Sequence, residues 1–387
     1  MRQVTDDERR ARLAVRHALA PAFRAGSPEA VTQALTVLHA TEAATVYLSC
    51  RARADGFTVA DLDRALYIDR TLVKQLAMRR TLFVFPRDLL PAVWPSASAR
   101  VAASERARMT RDVVKAGLAA DGDAWLDQVR ASVLAVLAGA PDGLAAGEIR
   151  RAAPMIDVRL EVSSTETWTA FRVMTYLGLI ADVVRGVNTS RWPISRFRWT
   201  LMRDWLGDVP APWEAAAGYR ELVRRWLYSF GPGTEDDIVW WLGATKSIVR
   251  AALADLDAVA VTLSGDAVGW LLPDDVDEVS DPGPWVALLP ALDPTVMGWK
   301  ARDFYLGPHR PHLFDRTGNA GTTAWANGRI VGCWTQDPDG AVRLRLLEEV
   351  PTATRRALDA EADRLSAWLD GVRVSTIYSS PAMKAPT

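Results

Sequence analysis

The 387-residue chain has only two cysteines, Cys50 and Cys333, far apart and with no histidine cluster beside either. That excludes a disulfide framework and a Cys/His zinc site, and it fits a reduced compartment. Long hydrophobic runs are also missing: apolar residues make up 49% of the chain, yet none of their runs approaches the ~18 residues needed to span a bilayer. The charged opening, Met1 to Arg12, lacks the apolar centre of a secretory signal. A soluble, cytoplasmic protein with no membrane partner is expected. No P-loop, no Gly-x-Gly-x-x-Gly and no metal-ligand spacing is present, so neither a cofactor nor a metal is expected. A heptad seam and a helical dimerisation arm are lacking too, which predicts a monomer and argues against a dimeric regulator reading a palindrome.

Net charge is small as well, at −1, but its distribution is uneven. Arg70, Lys74, Arg79, Arg80 and Arg87 follow one another without an intervening acid. Arg185, Arg191, Arg196, Arg198 and Arg203 do the same, interleaved with Trp192, Phe197 and Trp199. Acids collect at Asp274, Asp275, Asp277, Glu278 and Asp281, which read as a solvated linker. Segregated signs let a soluble chain turn a basic face toward a polyanion.

The periodicity predicts an α+β fold with three tandem winged-helix modules and a C-terminal strand-rich, β-barrel-like domain. The boundaries are 1–115, 116–210, 211–280 and 281–387. In the first copy a helix opens at Ser27-Pro28-Glu29 and runs through Val31, Leu35 and Leu38. A second helix carries Tyr47, Leu48 and Cys50, a short one spans 58–66, and apolar Leu72, Val73 and Leu76 predict a helix over 68–78. The second copy takes 125–136, a short helix at Glu148-Ile149-Arg150, a third over 165–177, and wing strands at 179–184 and 197–201. The third takes 219–230, 234–242, 245–256 and a wing at 258–263 and 267–272. Strands at 285–289, 322–326, 328–335 and 341–347, a hairpin at Asn327-Gly328, a helix over 352–369, a strand over 372–377 and a frayed tail complete the chain.

A winged helix sets its third helix in a DNA groove while the wing reaches phosphates. Candidate DNA contacts are therefore Arg79, Arg80 and Thr81 at the entry to the first wing, Arg191, Arg196 and Arg198 in the second, and Lys246 and Arg250. The last two lie four residues apart on the third helix of the third copy. An amphipathic hairpin or a solvated helix face gives the same patterns.

Three segments together resemble the tandem winged-helix DNA glycosylases of the AlkZ and YcaQ type. They are Asp69 to Lys74 with Met78 to Val84, Leu288 to Pro294 with Arg302-Asp303, and Phe314 to Asn319 leading into Trp325 to Trp334. The resemblance covers roughly Arg10 to Pro381. It implies excision of N-alkylated (N7) purines and unhooking of interstrand crosslinks in base excision repair, on double-stranded DNA with alkylated or crosslinked bases, in a nucleoid-associated cytoplasmic protein. It also implies an open cleft in which a bulky lesion is approached without being flipped into a tight pocket. The family's Gln-x-Gln or Gln-x-Asp motif falls on His39-Ala40-Thr41, so both functional positions differ in type. A neutral imidazole, with an ordinary pKa of about 6.5, can take a proton from water, and the Thr41 hydroxyl can hold that water. Thr41 also reads as a helix cap with Glu42 in the first turn, and Glu42 is a spare base. No lysine neighbours His39, which predicts a monofunctional N-glycosyl hydrolase. The alternative is a non-enzymatic winged-helix DNA-binding protein, a regulator or lesion binder.

Overall fold

The computed structural model describes residues 1–162 and 165–384. The chain divides into two compact units, Met1–Ala65 with Arg220–Thr387, and Leu66–Tyr219. The boundary at Ala65 lies inside the expected first module. No described helix is long and apolar enough to cross a membrane.

In the first unit, Thr5 caps the helix Asp6–Arg16 by accepting from the Glu8 amide. Ser27 caps Pro28–Ala34 in the same way. This second helix is shorter than its apolar spacing suggested. Thr36 turns into the left-handed region (φ 63°), so Leu38 and His39 form a two-residue strand instead of a last helical turn. The helix Ala43–Arg51 follows, and Thr58 and Asp61 box the start of Val59–Asp63.

The helix Ala215–Phe230 carries the chain back from the second unit into the first. Beyond it the third copy folds with the expected elements. Gly233–Thr234 is a short strand, Thr234 and Asp237 box the helix Glu235–Leu242, and Gly243 ends it in the left-handed region. Thr245 then caps Lys246–Asp255. Strand Val268–Leu271 pairs antiparallel with both Val259–Thr262 and Gly233–Thr234.

The last part of this unit is an antiparallel meander of Val286–Leu289, Thr323–Ala326, Arg329–Gln336 and Val342–Leu346 in chain order. Its tight turn at Asn327-Gly328 has positive φ at both residues (48° and 80°). The helix Thr352–Leu369 packs on the sheet through buried Leu358, Leu365 and Leu369. The expected β-barrel-like closure is thus corrected to an open sheet, because four strands with a helix across them do not close on themselves.

Three further expectations for this unit are corrected. No strand forms over 372–377, because the Gln336 side chain, donating to the Val372 carbonyl (3.0 Å) and accepting from the Val374 amide (2.8 Å), takes the place of a ladder. The tail is not frayed at 381–384: Pro381–Lys384 is a helical turn with Ala382 buried beside fully buried Ser380. The acidic stretch is not a free linker either, since Arg12, 1% exposed, donates to the Asp275 carboxylate (3.1 Å) and carbonyl.

In the second unit the expected helix over 68–78 is a strand. Leu72–Ala77 pairs antiparallel with Thr81–Pro86, with Ala77 opposite Thr81. Nearly every residue of both strands is buried, so no in–out alternation exists, and a short apolar run of this kind reads equally as helix or strand. Gln75 braces the hairpin by donating to the Leu76 and Gly178 carbonyls, each at 2.8 Å.

Next come Ala99–Lys115, Gly122–Ala138 under an Asp121 cap, and Ala146–Ala152. Thr169–Leu179 starts four residues later than expected, because Thr165–Trp168 pairs as a strand with Arg159–Val162. The hairpin Val183–Asn188 with Phe197–Leu201 closes the second copy. A bridge between Leu144 and Trp199 ties its short helix to this hairpin.

Candidate active site

Within the stretch 39–42 the residues differ in exposure, and Glu42 lines a cavity. His39 is 8% exposed in its short strand, and Thr41 is exposed. The cap of Ala43–Arg51 is Glu42 rather than Thr41. Its backbone is extended (φ −104°, ψ 130°), and its side chain makes no bond to its own helix. The carboxylate Oε1 instead accepts from the Thr376 hydroxyl at 2.8 Å and the Ile377 amide at 2.9 Å, a partner segment 334 residues away. Oε2 has no protein donor among the described residues. Burial pushes the Glu42 carboxyl above its ordinary range, and the bonds from Thr376 and Ile377 partly oppose that.

Glu42 lines a cavity of about 470 Å³ in the first unit, shared with Trp334, Arg373, Thr376 and Ser379. Neither His39 nor Thr41 is among its lining residues. The cavity wall is tied by hydrogen bonds where it meets the helix. The Thr45 hydroxyl donates to the Ala291 carbonyl (2.9 Å), the Trp334 indole donates to the Leu289 carbonyl (2.8 Å), and both ends of the Gln336 amide are used. Arg373 is exposed at the rim. The arrangement is a desolvated carboxylate facing an open, partly aromatic chamber with a cation at its edge. Such a group can accept a proton from water or oppose developing positive charge.

Behind the cavity lies a fully buried ion pair. Asp293 accepts from Arg53 through two guanidinium nitrogens (2.9 and 2.6 Å), from the Ser49 hydroxyl (2.7 Å) and from the Thr295 amide (2.9 Å). Both residues are 0% exposed. Asp293 therefore joins the Ala43–Arg51 helix to the Pro290–Thr295 turn as a brace.

The candidate DNA contacts fall into distinct environments. Arg79 and Arg80 both adopt positive φ (55° and 59°) in the turn before Thr81. Arg80 is exposed, 3.7 Å from Glu105 and 5.8 Å from the Phe171 ring centre. Arg191 and Arg196 are exposed in the second wing. Arg198 is half-buried and donates to the Gly143 (2.9 Å) and Asp142 (3.2 Å) carbonyls, with Glu148 at 3.4 Å. Arg185 lies over Phe197 (4.6 Å) and Trp199 (5.7 Å), and burial pulls its pKa down to about 10. Part of the arginine–aromatic pattern is thus internal packing. Lys246 and Arg250 are exposed but paired, Lys246 with Asp236 (2.8 Å) and Arg250 with Glu235 (2.7 Å), from the acidic first turn of the preceding helix. Sequence reasoning missed Arg373, Thr376 and the chamber itself, since nothing local marks a contact across more than 300 residues. Among the described residues no His, Cys, Asp and Glu group is arranged to hold a metal ion.

The architecture has a solved counterpart. The DNA glycosylase AlkZ of Streptomyces sahachiroi superposes with a TM-score of 0.70 at 20% identity, covering 95% of this chain and 98% of that one. No curated protein matches in sequence. The family described as DNA glycosylase AlkZ-like matches residues 32–368, which include the 39–42 stretch, the Asp293 turn and the late hairpin. The chain therefore belongs to the AlkZ-like DNA glycosylase family.

Proposed function

We propose that the chain is a monofunctional DNA glycosylase hydrolysing the N-glycosidic bond of N7-alkylated purines in duplex DNA, including those tied in interstrand crosslinks. The observation that carries this reading is the placement of Glu42, next to the His39-x-Thr41 stretch, as a partly buried carboxylate on the chamber wall. An N7-alkylated purine leaves as a neutral base, so its departure needs little acid. The enzyme must hold water near C1′, accept its proton and balance an oxocarbenium-like charge. Glu42 does the last two, while Thr376 and Ile377 fix its orientation. No described lysine lines the chamber, so a Schiff-base lyase step has no amine there.

The second and third copies, each with three helices and a hairpin, serve as winged-helix modules that track phosphates. Arg191 and Arg196 are the most available cations of the second. A non-enzymatic DNA-binding role is favoured by one observation: His39 and Thr41, at the motif position, do not line the chamber.

One assay separates the two. Purified protein is incubated with duplex carrying N7-methylguanine or an N7-linked crosslink, and base release and alkali-labile strand cleavage are followed. Release by the wild type, retained in His39→Ala and lost in Glu42→Gln, is expected. Tight binding of both duplexes without release overturns the hydrolase reading. Loss of release in His39→Ala with Glu42→Gln active moves the base to His39.

A further inference from the structure

A second cleft meets the Glu42 chamber at Ser379. It encloses about 1000 Å³ and carries three cations from three separate segments: Arg310 on the turn of helix 310–313, Arg316 in the 315–318 turn, and Lys384 on the last helical turn. All three are exposed, and no carboxylate of the described residues pairs with any of them. That differs from Lys246, Arg250 and Arg198, whose charges neighbouring acids or carbonyls already engage. The one acid in the cleft, Asp315, is turned onto its own loop. It accepts from the Thr317 amide and hydroxyl (each 2.8 Å), the Asn319 amide (2.9 Å) and the Asn319 side chain (3.0 Å). Three cations against one carboxylate leave the cleft net positive, and a polyanion neutralises that excess.

The wall between the two cavities is a single piece of chain. Glu42 holds Thr376 and Ile377, and the Ser379 hydroxyl donates to the Thr376 carbonyl at 3.1 Å. Ser379 lines both sides. We propose that the Arg310–Arg316–Lys384 cleft binds phosphodiesters of the DNA strand whose damaged nucleotide faces Glu42, so that backbone and reacting sugar are held on either side of the 376–379 segment. This rests on the glycosylase reading above.

The test is the salt dependence of duplex binding, by fluorescence anisotropy, for the full-length wild type and the triple variant Arg310→Gln/Arg316→Gln/Lys384→Gln. A control triple, Arg355→Gln/Arg356→Gln/Arg364→Gln, removes the same charge from the exposed face of helix Thr352–Leu369. Each phosphate contact adds about 0.9 to the slope of log affinity against log salt. The cleft triple is expected to lose roughly 2–3 from that slope, with weakened binding and an unchanged melting temperature, and the control to lose almost nothing. Single-turnover excision at saturating DNA should keep its rate constant while the half-saturating concentration rises. An unchanged slope in the cleft triple, or an equal loss in the control, overturns the proposal. If the wild type excises nothing, the glycosylase reading fails, and the binding comparison still decides whether the cleft holds phosphates.

Discussion

Replacing Glu42 by Gln removes one charge and keeps the shape, so it separates chemistry from architecture. The amide oxygen still accepts from the Thr376 hydroxyl and the Ile377 amide, which both meet Oε1. The charge itself is held at a cost, because burial raises the folded-state pKa above the ordinary carboxylate value. A raised carboxyl contributes stability that is fully present below the unfolded pKa and is lost as pH rises through the folded one. Above the folded pKa the ionised side chain therefore adds nothing to folding, and its neutral isostere should melt there at the same temperature or slightly higher. Excision should fall by roughly 10²–10⁴-fold, the usual contribution of a positioned general base. The wild-type rate should also decline on the acid side as Glu42 is protonated, at a pH above the ordinary carboxylate range, and that limb should vanish in the variant. Calorimetry and single-turnover base release across pH 4–8 check the pair of outcomes. A variant that melts several degrees lower identifies Glu42 as a structural tie. One that excises normally refutes its role as the base.

Three further outcomes follow from the same contacts. Thr376→Val deletes a hydrogen bond that lowers the Glu42 pKa, so the acid limb of the excision profile should move to higher pH, and a downward shift contradicts the assignment. Asp293→Asn leaves the buried Arg53 guanidinium uncompensated, which costs about 3–5 kcal/mol. In a unit of roughly 230 residues that lowers the melting temperature by about 6–20 °C, and a fall under about 2 °C refutes the brace. Arg191→Ala with Arg196→Ala should weaken duplex binding at every sequence and lower the salt slope by roughly 2. Arg198→Ala should act mainly on the melting temperature, because its donors are engaged by Asp142 and Gly143; equal effects of the two on binding contradict that division.

Local chemistry explains which parts of the chain were legible. The third copy follows its sequence within a few residues because every boundary carries its own signal: the Thr234–Asp237 box, left-handed Gly243, the Thr245 cap. The late meander was legible for a similar reason, since Asn327-Gly328 admits the positive φ that its turn needs. Leu72–Ala77 misled because burial on both faces erased the alternation that marks a strand. The 372–377 segment is rich in β-branched residues, yet the Val372 carbonyl and Val374 amide bond the Gln336 side chain and the Ile377 amide bonds Glu42. The sequence singled out the stretch 39–42 as a candidate, but not which of its members faces the chamber. That depended on Thr36 reversing the chain and on a C-terminal segment supplying the donors for Glu42.

On the proposed reading, His39 and Thr41 in place of the family's motif residues alter what the neighbouring residue must do. Two amides or an amide and an acid can orient water together, whereas the buried His39 imidazole and the exposed Thr41 hydroxyl both lie off the chamber wall. Glu42 stands one residue further on, at the start of Ala43–Arg51, where the first amides of the helix carry partial positive charge toward the same wall through Ala44 and Thr45. Burial makes the carboxylate a stronger base, while the donors from Thr376 and Ile377 favour its ionised form. A base for a leaving group that is already cationic needs only that balance. On the proposed reading that base is built from two segments at opposite ends of the sequence: the Asp293–Arg53 brace fixes the helix that follows Glu42, and the Gln336 clamp fixes the 372–374 backbone that leads to Thr376.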